Sequence, residues 1–457
     1  MIGRSRPAKM LYLPVEIKPR ELPGRLLLAC CAAESGFAVV IGNQVEMDRY
    51  CRFFPPGMLL EKDISTRRWQ NIRPLFNKGF SIASIDEEAG GFFSMPQFID
   101  ARYDGELLSS AAKTFFWSQM HLELVQARFP EVVMQTSVVG NPRFDVCRPE
   151  LRGVFTAASQ DIRQRFGDFI LLMSNFSYSN YVLGEEKLLS EAKRSGKYKN
   201  DAERDTYLGR VTHKKNNMAA FIDALPEIRK AFPNLSIVIR PHPVERIETW
   251  REIGNTIENC HVVYEGDANS WLLAAKAIFH HGCTTGLEAF LLGRASVSFH
   301  PHPHETYDAE PSAKVSLVAG NQAQLIVQLR SIVDGSGVLP PMAIAENFVR
   351  IGEEYAADRI VADLTKQPIG QQHLDVSFRN TGLWKRRVVQ KMREARAVTV
   401  GWRKNRVNRG RWKQQKFSGT TLAEIRQLMG SMREETGRFD GIVANKILRD
   451  VYLLKHQ

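Results

Sequence analysis

Cysteine is scarce in this chain, and long apolar runs are absent. There are six cysteines, two of them adjacent at Cys30 and Cys31, and no C-x-x-C pair. This pattern excludes a disulfide framework and a cysteine zinc site, and it favours a reducing cytoplasm. No stretch approaches the roughly 20 apolar residues of a membrane-spanning helix, and the run from Met10 to Val15 is too short for a signal peptide. We therefore expect a cytoplasmic protein that at most binds the inner face of the cytoplasmic membrane.

The sequence also lacks the signatures of several common enzyme classes. It has no G-x-x-x-x-G-K-[ST], which excludes a P-loop, and no G-x-S-x-G, which argues against an α/β-hydrolase. It has no D-x-D pair of the kind that holds the divalent metal of a sugar nucleotide. We therefore predict no metal ion and no cofactor.

Length and hydrophobic periodicity predict the fold. A chain of 457 residues exceeds what one hydrophobic core usually serves. Short apolar runs alternate with helical patterns, first up to about residue 140 and again from about residue 169. This rhythm predicts two facing, doubly wound parallel-sheet domains of the Rossmann type. We expect the domains at residues 1–150 and 151–345, followed by a helical return segment and a basic extension at 346–457.

Three segments receive more specific predictions. Residues 177–212 carry few apolar side chains in their later half, which favours a long loop or lid. The patterns at 214–232 and 347–364 are helical. A basic segment begins at Trp384 and ends at Lys416, with thirteen lysines and arginines against one glutamate. The net charge of the whole chain is +12, so this segment can account for the excess.

The strongest motif is R-P-H-P, which follows a predicted strand directly. Prolines on both sides of His242 stiffen the loop and fix the position of the imidazole. Arg240 and His242 could together bind a phosphate group, since both side chains donate hydrogen bonds. The alternative is a rigid turn with a surface histidine, but the position at a strand end favours binding.

The second motif, H-G-C-T-T-G-L-E-A, links a predicted strand to a predicted helix. Thr284 and Thr285 could bind the same phosphate with their hydroxyl groups and the neighbouring backbone N–H groups. Glu288, one helical turn later, could hold a ribose hydroxyl. Thr285 and Glu288 also have capping-box spacing, which is the structural alternative.

Three further motifs supply carboxylates and cations. D-E-E-A-G-G places Glu87 and Glu88 at a strand end, where crowded carboxylates raise one another's pKa and one could act as a general base. G-N-P-R-F-D carries donor-binding candidates and an acid, and E-I-K-P-R-E carries an acid and two cations that could bind an acceptor or an anion. These candidates are Asn141, Arg143, Asp145, Glu16, Lys18 and Arg20. Solvated turns and internal ion pairs are the alternatives.

The segment H-P-H-P-H-E carries His300, His302 and His304 at every second position. Such spacing could ligate a metal ion. Proline at the intervening positions instead favours an extended loop, and we expect no cysteine or aspartate to complete a ligand set.

Seven motifs, taken in order along the chain, resemble the bacterial surface carbohydrate biosynthesis protein family. They are E-I-K-P-R-E, D-E-E-A-G-G, V-V-G-N-P-R-F-D, S-N-F, R-P-H-P, C-T-T-G-L-E-A and K-F-S-G-T-T-L-A-E-I. That family resembles GT-B glycosyltransferases that use CMP-activated acidic sugars of the Kdo or sialic-acid type. The resemblance implies metal-independent transfer of such a sugar in lipopolysaccharide or capsule synthesis. The acceptor would be a surface polysaccharide or a lipid-linked glycan.

The resemblance also assigns roles to residues of this chain. Glu88, or its neighbour Glu87, would be the catalytic carboxylate, although Ala89 separates Glu88 from the glycines that the family's acidic loop places next to it. His242, Thr284 and Thr285 would bind the CMP phosphate, and Asn175 in the S-N-F turn would contact the donor. Retention of configuration would need a second carboxylate, for which Glu16 and Asp145 are candidates, so the stereochemistry stays open.

The basic segment allows three interpretations. Tryptophans and a narrow apolar stripe on a basic helix favour an anionic membrane surface. A helix packed back on the core is one alternative, and a nucleic-acid arm is the least favoured. The rival catalytic hypothesis is a CDP-polyol phosphotransferase of the teichoic-acid type, which would also need a phosphate-binding loop and a basic docking surface.

Overall fold

The structure, a computed structural model, describes residues 8–63, 65–89, 99, 102–194, 196–198, 200–308, 310–372 and 415–457. These residues form two compact units. The first contains the described parts of Met1–Glu87, Arg102–Val146 and Val349–Gln457, and the second contains those of Glu88–Ala101 and Cys147–Phe348. Among the described residues, no helix combines the length and apolar character needed to span a bilayer.

The strands are numbered along the chain, and those described have the following bounds: β1 Ala8–Val15, β2 Phe37–Asn43, β3 Met58–Glu61, β4 Ser81–Ile85, β5 Lys113–Phe116, β6 Thr136–Val138, β7 Phe169–Met173, β8 Ser236–Arg240, β9 Cys260–Val262, β10 Ala277–His280, β11 Ser296–Phe299, β12 Leu317–Ala319, β13 Gln371–Gln372, β14 Ile442–Leu448 and β15 Val451–His456.

The α-helices of the described residues lie between these strands, with bounds Lys18–Glu34, Gln44–Tyr50, Thr66–Phe76, Gly105–Ser110, Gln119–Arg128, Pro142–Asp145, Thr156–Phe166, Glu185–Arg194, Asp201–Ala231, Ile247–Gly254, Ala268–Ala274, Thr285–Leu291, Glu310–Lys314, Gln322–Val333, Met342–Glu346, Ala356–Thr365 and Leu422–Thr436.

The first unit is built on a sheet of order β14-β15-β2-β1-β3-β4-β5-β6, with β13 paired to β1. Strands β1 to β6 are parallel to one another, whereas β13 and β15 pair antiparallel with β1 and β2. The central strand β1 is buried from Met10 to Val15. Fully buried strands of this kind need helices on both faces, which is why their sequences read as continuous apolar runs. The helix Lys18–Glu34 supplies part of this cover through Leu22, Leu26 and Ala29.

The second unit has a six-stranded parallel sheet of order β12-β11-β10-β7-β8-β9. Counted from its own first strand, β7, this is the 3-2-1-4-5-6 order of the Rossmann fold, viewed from the other edge. Its core joins buried side chains of β7, β8, β10 and β11 to the helix Asp201–Ala231. The prediction of two doubly wound parallel-sheet domains is therefore confirmed.

Residues 177–212 do not form the predicted long loop. They contain the helix Glu185–Arg194 and the first part of the helix Asp201–Ala231, which begins well before the predicted start at 214. Few apolar residues suffice here because the helices bury one small cluster, formed by Leu188, Ala192, Tyr207 and Val211. Asn200 caps the longer helix by accepting a hydrogen bond from the Glu203 N–H group.

Two predictions for the C-terminal part were also wrong. The helix expected at 347–364 begins only at Ala356, because Gly352 has a left-handed φ of 70° and the backbone before it is irregular. Residues 346–457 are not only helical, since β14 and β15 form an antiparallel hairpin whose second strand pairs with β2. Both strands lie beyond the basic segment that dominated the sequence pattern.

Candidate functional site

The candidate donor site lies at the carboxyl ends of β7, β8 and β10 in the second unit. Strand β7 pairs with β8 on one side and with β10 on the other, so the strand order reverses at β7. Ligands of open α/β sheets bind at such switch points, beyond the carboxyl ends of the strands. Here the three strands are followed by S-N-F, R-P-H-P and H-G-C-T-T-G.

Two polar side chains after β7 connect the other motifs. The Ser174 hydroxyl accepts a hydrogen bond from the His242 N–H group at 3.0 Å. The Asn175 amide donates to the carbonyl oxygens of His281 and Gly282 at 3.2 and 3.1 Å. The structure therefore brings three separate sequence motifs into one hydrogen-bonded cluster.

Glu245 supports this cluster, although the sequence analysis did not identify it. Its carboxylate accepts hydrogen bonds from the Ser174 hydroxyl at 2.9 Å, the Phe176 N–H at 2.7 Å and the Trp250 indole N–H at 2.6 Å. The side chain is fully buried, and this burial raises its pKa although the hydrogen bonds oppose the shift. One sequence feature could have identified Glu245. It is an acid three residues after His242 and is followed by a short segment that contains a tryptophan.

His242 is half-buried, and its ring is oriented by the stiff loop. Its Nδ1 accepts a hydrogen bond from the Val244 N–H at 3.4 Å, so in the neutral ring the proton is on Nε2. An Nε2–H group is a donor of the kind that a phosphate oxygen accepts.

Arg240 does not have the predicted phosphate-binding role. Its guanidinium donates to the carbonyl oxygens of Glu265 and Gly266 at 2.5 and 2.8 Å, and it lies 5.6 Å from the ring centroids of both Tyr264 and Trp271. The side chain is buried, and this burial lowers its pKa. Arg240 therefore holds the loop after β9 instead of facing a ligand.

The H-G-C-T-T-G loop follows β10 and leads into the helix Thr285–Leu291. Thr284 is the N-cap residue but makes no side-chain capping bond, so the capping box expected from Thr285 and Glu288 is not formed. The Thr285 hydroxyl is buried and has no hydrogen-bond partner among the described residues. Glycine is required at position 286, because a Cβ there would lie 2.5 Å from His280 Nε2. Glu288 is buried, and its contact with a ribose stays a prediction.

Glu88 belongs to the second unit and lies near the segment that follows β7. Burial alone would raise the pKa of Tyr178, but Lys197 and Arg210 hold it below its ordinary value, and Glu88 acts against them. The Arg210 guanidinium lies 5.5 Å from the Tyr178 ring centroid. Glu88 is therefore an acid close enough to Tyr178 to influence its pKa, in the same unit as His242 and Thr285.

Glu87 belongs to the first unit, where its role is structural. Its carboxylate is 2.9 Å from the Arg25 guanidinium, and the Asn141 amide donates to it at 3.3 Å. Arg143 donates to the Glu87 carbonyl at 3.4 Å. All four side chains are buried. The acid neutralises Arg25, so we retain neither Glu87 as a base nor Asn141 and Arg143 as donor-binding residues.

Glu16 is held by two lysines and is also unsuited to act as a base. Lys62 and Lys416 each lie 2.6 Å from its carboxylate. Burial alone would raise the pKa of Glu16, but the two lysines hold it well below its ordinary value. A carboxylate that stays ionised in this way takes up a proton poorly.

The predicted acceptor-binding cations have partners inside the first unit. Lys18 lies 2.8 Å from Glu424 and donates to the Gly419 carbonyl at 2.6 Å. Arg20 pairs with Glu21 at 2.9 Å. Lys18 thus links its helix to the C-terminal part of the unit, and Arg20 pairs within its own helix, so we do not retain them as an anion site.

Asp145 has a capping role that replaces its predicted catalytic one. Its two carboxylate oxygens each accept a backbone hydrogen bond, from Ala356 and from Ala357, both at 2.9 Å. These N–H groups open the helix Ala356–Thr365, whose first turn needs acceptors. The side chain is buried and leaves no oxygen for a substrate.

Of the basic segment 384–416, only residues 415 and 416 are among those described. The predicted membrane surface therefore lies largely outside the described residues.

The three histidines of H-P-H-P-H-E differ in exposure. His302 and His304 are exposed, whereas His300 is buried and its Nε2 shares a hydrogen bond of 2.8 Å with the Ser298 hydroxyl.

Comparisons with known proteins identify the fold. No family model and no curated protein matches the chain. Among solved structures, the UDP-GlcNAc 2-epimerase of Methanocaldococcus jannaschii, in complex with UDP-GlcNAc and UDP, matches with a TM-score of 0.50 at 13% identity, over 78% of this chain and 100% of the epimerase. The chain shares the fold of this enzyme. It is thus a GT-B-type protein with two parallel-sheet Rossmann-like units.

Two further structures match less well. The UDP-GlcNAc 2-epimerase from Neisseria meningitidis, bound to UDP-GlcNAc, has a TM-score of 0.48 at 14% identity, over 79% of this chain and 100% of its own. The wall teichoic acid polymerase TagF has a TM-score of 0.47 at 10% identity, over 78% of this chain and 88% of its own. At these identities and scores, neither alignment adds to the assignment of the fold.

Proposed function

We propose that this protein is a GT-B transferase that binds a nucleotide-activated donor in its second unit. The observation that carries the proposal is the cluster in which Ser174 and Asn175 join the loops after β8 and β10. A Rossmann sheet with polar loops joined at its switch point is suited to a nucleotide phosphate. The M. jannaschii epimerase, which shares the fold, is described in complex with a nucleotide and a nucleotide sugar.

The donor that we propose is a CMP-activated acidic sugar of the Kdo or other nonulosonic type, and the acceptor is a surface polysaccharide or lipid-linked glycan. This choice rests on the motif resemblance to bacterial surface carbohydrate enzymes. The resemblance assigns donor binding to the motifs R-P-H-P and C-T-T-G-L-E-A, and both motifs belong to the second unit. We further propose a cytoplasmic enzyme whose segment 384–416 contacts an anionic membrane surface.

The retained side chains would act on two groups, the leaving phosphate and the acceptor hydroxyl. The Nε2–H of His242 and the hydroxyl of Thr285 would donate to the phosphate of the departing CMP, with Thr284 beside them, and so stabilise its developing charge. Glu88 would accept the proton of the acceptor hydroxyl as that oxygen attacks the anomeric carbon. No step requires a metal ion.

Product analysis tests the reaction type. Purified protein is incubated with CMP-Kdo or with CDP-glycerol and a glycan acceptor, and the products are identified by mass spectrometry. Release of CMP with a new glycosidic bond supports the proposal. Release of CMP with a new phosphodiester bond from CDP-glycerol contradicts it in favour of the phosphotransferase.

Glu88→Gln tests the proposed base in the same assay. We expect turnover to fall at least about 100-fold, because general-base catalysis is worth about 10²–10⁴ in rate, while nucleotide affinity stays unchanged. Glu186→Gln, at an exposed glutamate of the same unit, is the matched control and keeps wild-type turnover. Full activity of the Glu88 variant would place the base elsewhere.

A further inference from the structure

Three imidazoles of the second unit surround one carboxylate. Asp308 Oδ1 lies 2.7 Å from His213 Nε2 and 3.4 Å from His281 Nε2, and Asp308 Oδ2 lies 3.3 Å from His300 Nδ1. His213 comes from the helix Asp201–Ala231, His281 follows β10 and His300 follows β11. Residues far apart in the sequence thus bring four potential metal ligands to one point.

The cluster is buried and incompletely hydrogen-bonded. The histidines at 213, 281 and 300 are 7%, 0% and 7% exposed. His281 Nε2 and His300 Nδ1 are buried, and neither makes a hydrogen bond of acceptable geometry within the described residues, although both lie close to Asp308. Buried nitrogens without such partners are costly, and a cation bound to His281 Nε2 would satisfy the lone pair of that nitrogen.

Neighbouring side chains fix the orientation of two of the rings. Lys214 Nζ lies 2.8 Å from His281 Nδ1, and Nε2 of that ring faces Asp308. An ion on Nε2 leaves the ring proton on Nδ1, so Lys214 would accept that proton as a neutral amine. The Asn217 amide nitrogen lies 3.4 and 3.3 Å from the two ring nitrogens of His213, and it also donates to the His302 carbonyl. Contacts that hold imidazoles in place are a regular feature of metal sites.

We propose that His213 Nε2, His281 Nε2 and Asp308 bind a Zn²⁺ ion, with His300 Nδ1 lying 3.3 Å from the second carboxylate oxygen. The three ligand atoms lie within 4.8 Å of one another, so small side-chain movements would bring them to the roughly 2.0–2.2 Å from a common centre that zinc requires. The ion replaces the hydrogen bond between His213 and Asp308. Imidazole and carboxylate together suit zinc better than magnesium or calcium, which prefer oxygen ligands.

The proposed ion would have a structural role. It would link the long helix, the ends of β10 and β11 and the loop that carries Asp308. His281 directly precedes the loop that we assign to the donor phosphate, so the ion would hold that loop in place. The proposal does not depend on the transferase assignment, and it assigns no chemical step to the metal.

Zinc binding by the full-length protein tests this inference. The protein is stripped with a chelator, reloaded and analysed for metal content, and its Zn²⁺ affinity is measured by competition with a chromophoric chelator. We expect one Zn²⁺ per chain. We also expect affinity to fall more than about 100-fold in Asp308→Ala and His281→Gln, since losing an outer partner alone costs 10–100-fold.

The control is His302→Ala, an exposed histidine of the same loop, which should bind zinc like the wild type. A second measurement uses only the wild type, so it does not depend on whether the variants fold. Co²⁺ replaces Zn²⁺, and its visible absorption should be that of a tetrahedral site. Three outcomes would overturn the proposal: no stoichiometric zinc, no tetrahedral Co²⁺ spectrum, or zinc binding that is lost in His302→Ala but retained in Asp308→Ala.

Discussion

Replacing Glu245 offers a direct test of how the donor site is held together. Its two carboxylate oxygens have different partners, because Oε1 accepts from the Phe176 N–H and Oε2 from the Trp250 indole N–H. The substitution Glu245→Gln keeps one acceptor oxygen and replaces the other by an NH₂ group. One of the two buried N–H groups then faces a donor.

The loss of this hydrogen bond sets the expected change in the free energy of unfolding. Leaving one buried donor unsatisfied costs about 1–3 kcal/mol, so we expect Glu245→Gln to lower the free energy of unfolding by that amount. Glu245→Ala strands both donors and should cost about 2–6 kcal/mol on the same basis. Because Glu245 also holds Ser174, and Ser174 accepts from the His242 N–H, both variants should weaken nucleotide binding.

Urea unfolding followed by tryptophan fluorescence and far-ultraviolet circular dichroism measures the effect. Glu252→Gln, at an exposed glutamate on the helix that carries Trp250, is the control and should change stability by less than about 0.5 kcal/mol. Adding Trp250→Phe to Glu245→Gln removes the stranded donor, so the double variant should lose less stability than the two single losses combined. Equal stability of Glu245→Gln and Glu252→Gln would refute the reasoning.

Three further predictions concern acids whose partners the structure identifies. Asp145→Ala should lower the free energy of unfolding by about 1 kcal/mol through loss of a helix cap, with unchanged nucleotide affinity by calorimetry; a loss of affinity would return Asp145 to the site. Glu87→Gln should cost about 3–5 kcal/mol in urea unfolding because it strands Arg25, and Arg25→Met should recover much of the loss; a neutral single variant would contradict the ion pair. The lowered pKa of Glu16 means that its contribution is present above about pH 4.5 and is lost as the pH falls through the folded-state value. Lowering the pH should therefore reduce the free energy of unfolding of Glu16→Gln less than that of the wild type. Parallel profiles of unfolding free energy against pH would contradict this.

The sequence predicted the fold and the polar loops at the strand ends for a clear physical reason. Buried parallel strands must be apolar and must end where the chain turns to a helix, so β7, β8 and β10 and their polar loops could be recognised from local patterns. His242 and Thr285 belong to such loops. The hydrogen bonds of Ser174 and Asn175 that join the loops depend on strand order, which periodicity alone does not determine.

The predictions that the structure did not support failed because of contacts between residues distant in sequence. Glu87, Asp145 and Arg240 have the residue types and strand-end positions expected of a site, yet their partners Arg25, Ala356 and Glu265 use their polar atoms internally. The cluster that we propose as a zinc site could not be predicted for the same reason. His300 lies in a visible histidine pattern, but its partners come from a helix and a strand end elsewhere in the chain.

Nucleotide binding by calorimetry tests the central claim most directly. Wild-type protein, His242→Ala and the exposed control His302→Ala are titrated with CMP, CDP, UMP, UDP and GDP. The account predicts selective binding of CMP by the wild type and the control, and a loss of at least about tenfold in His242→Ala, equal to 1.4 kcal/mol. Absence of binding to every nucleotide, or CMP affinity unchanged in His242→Ala, would contradict it.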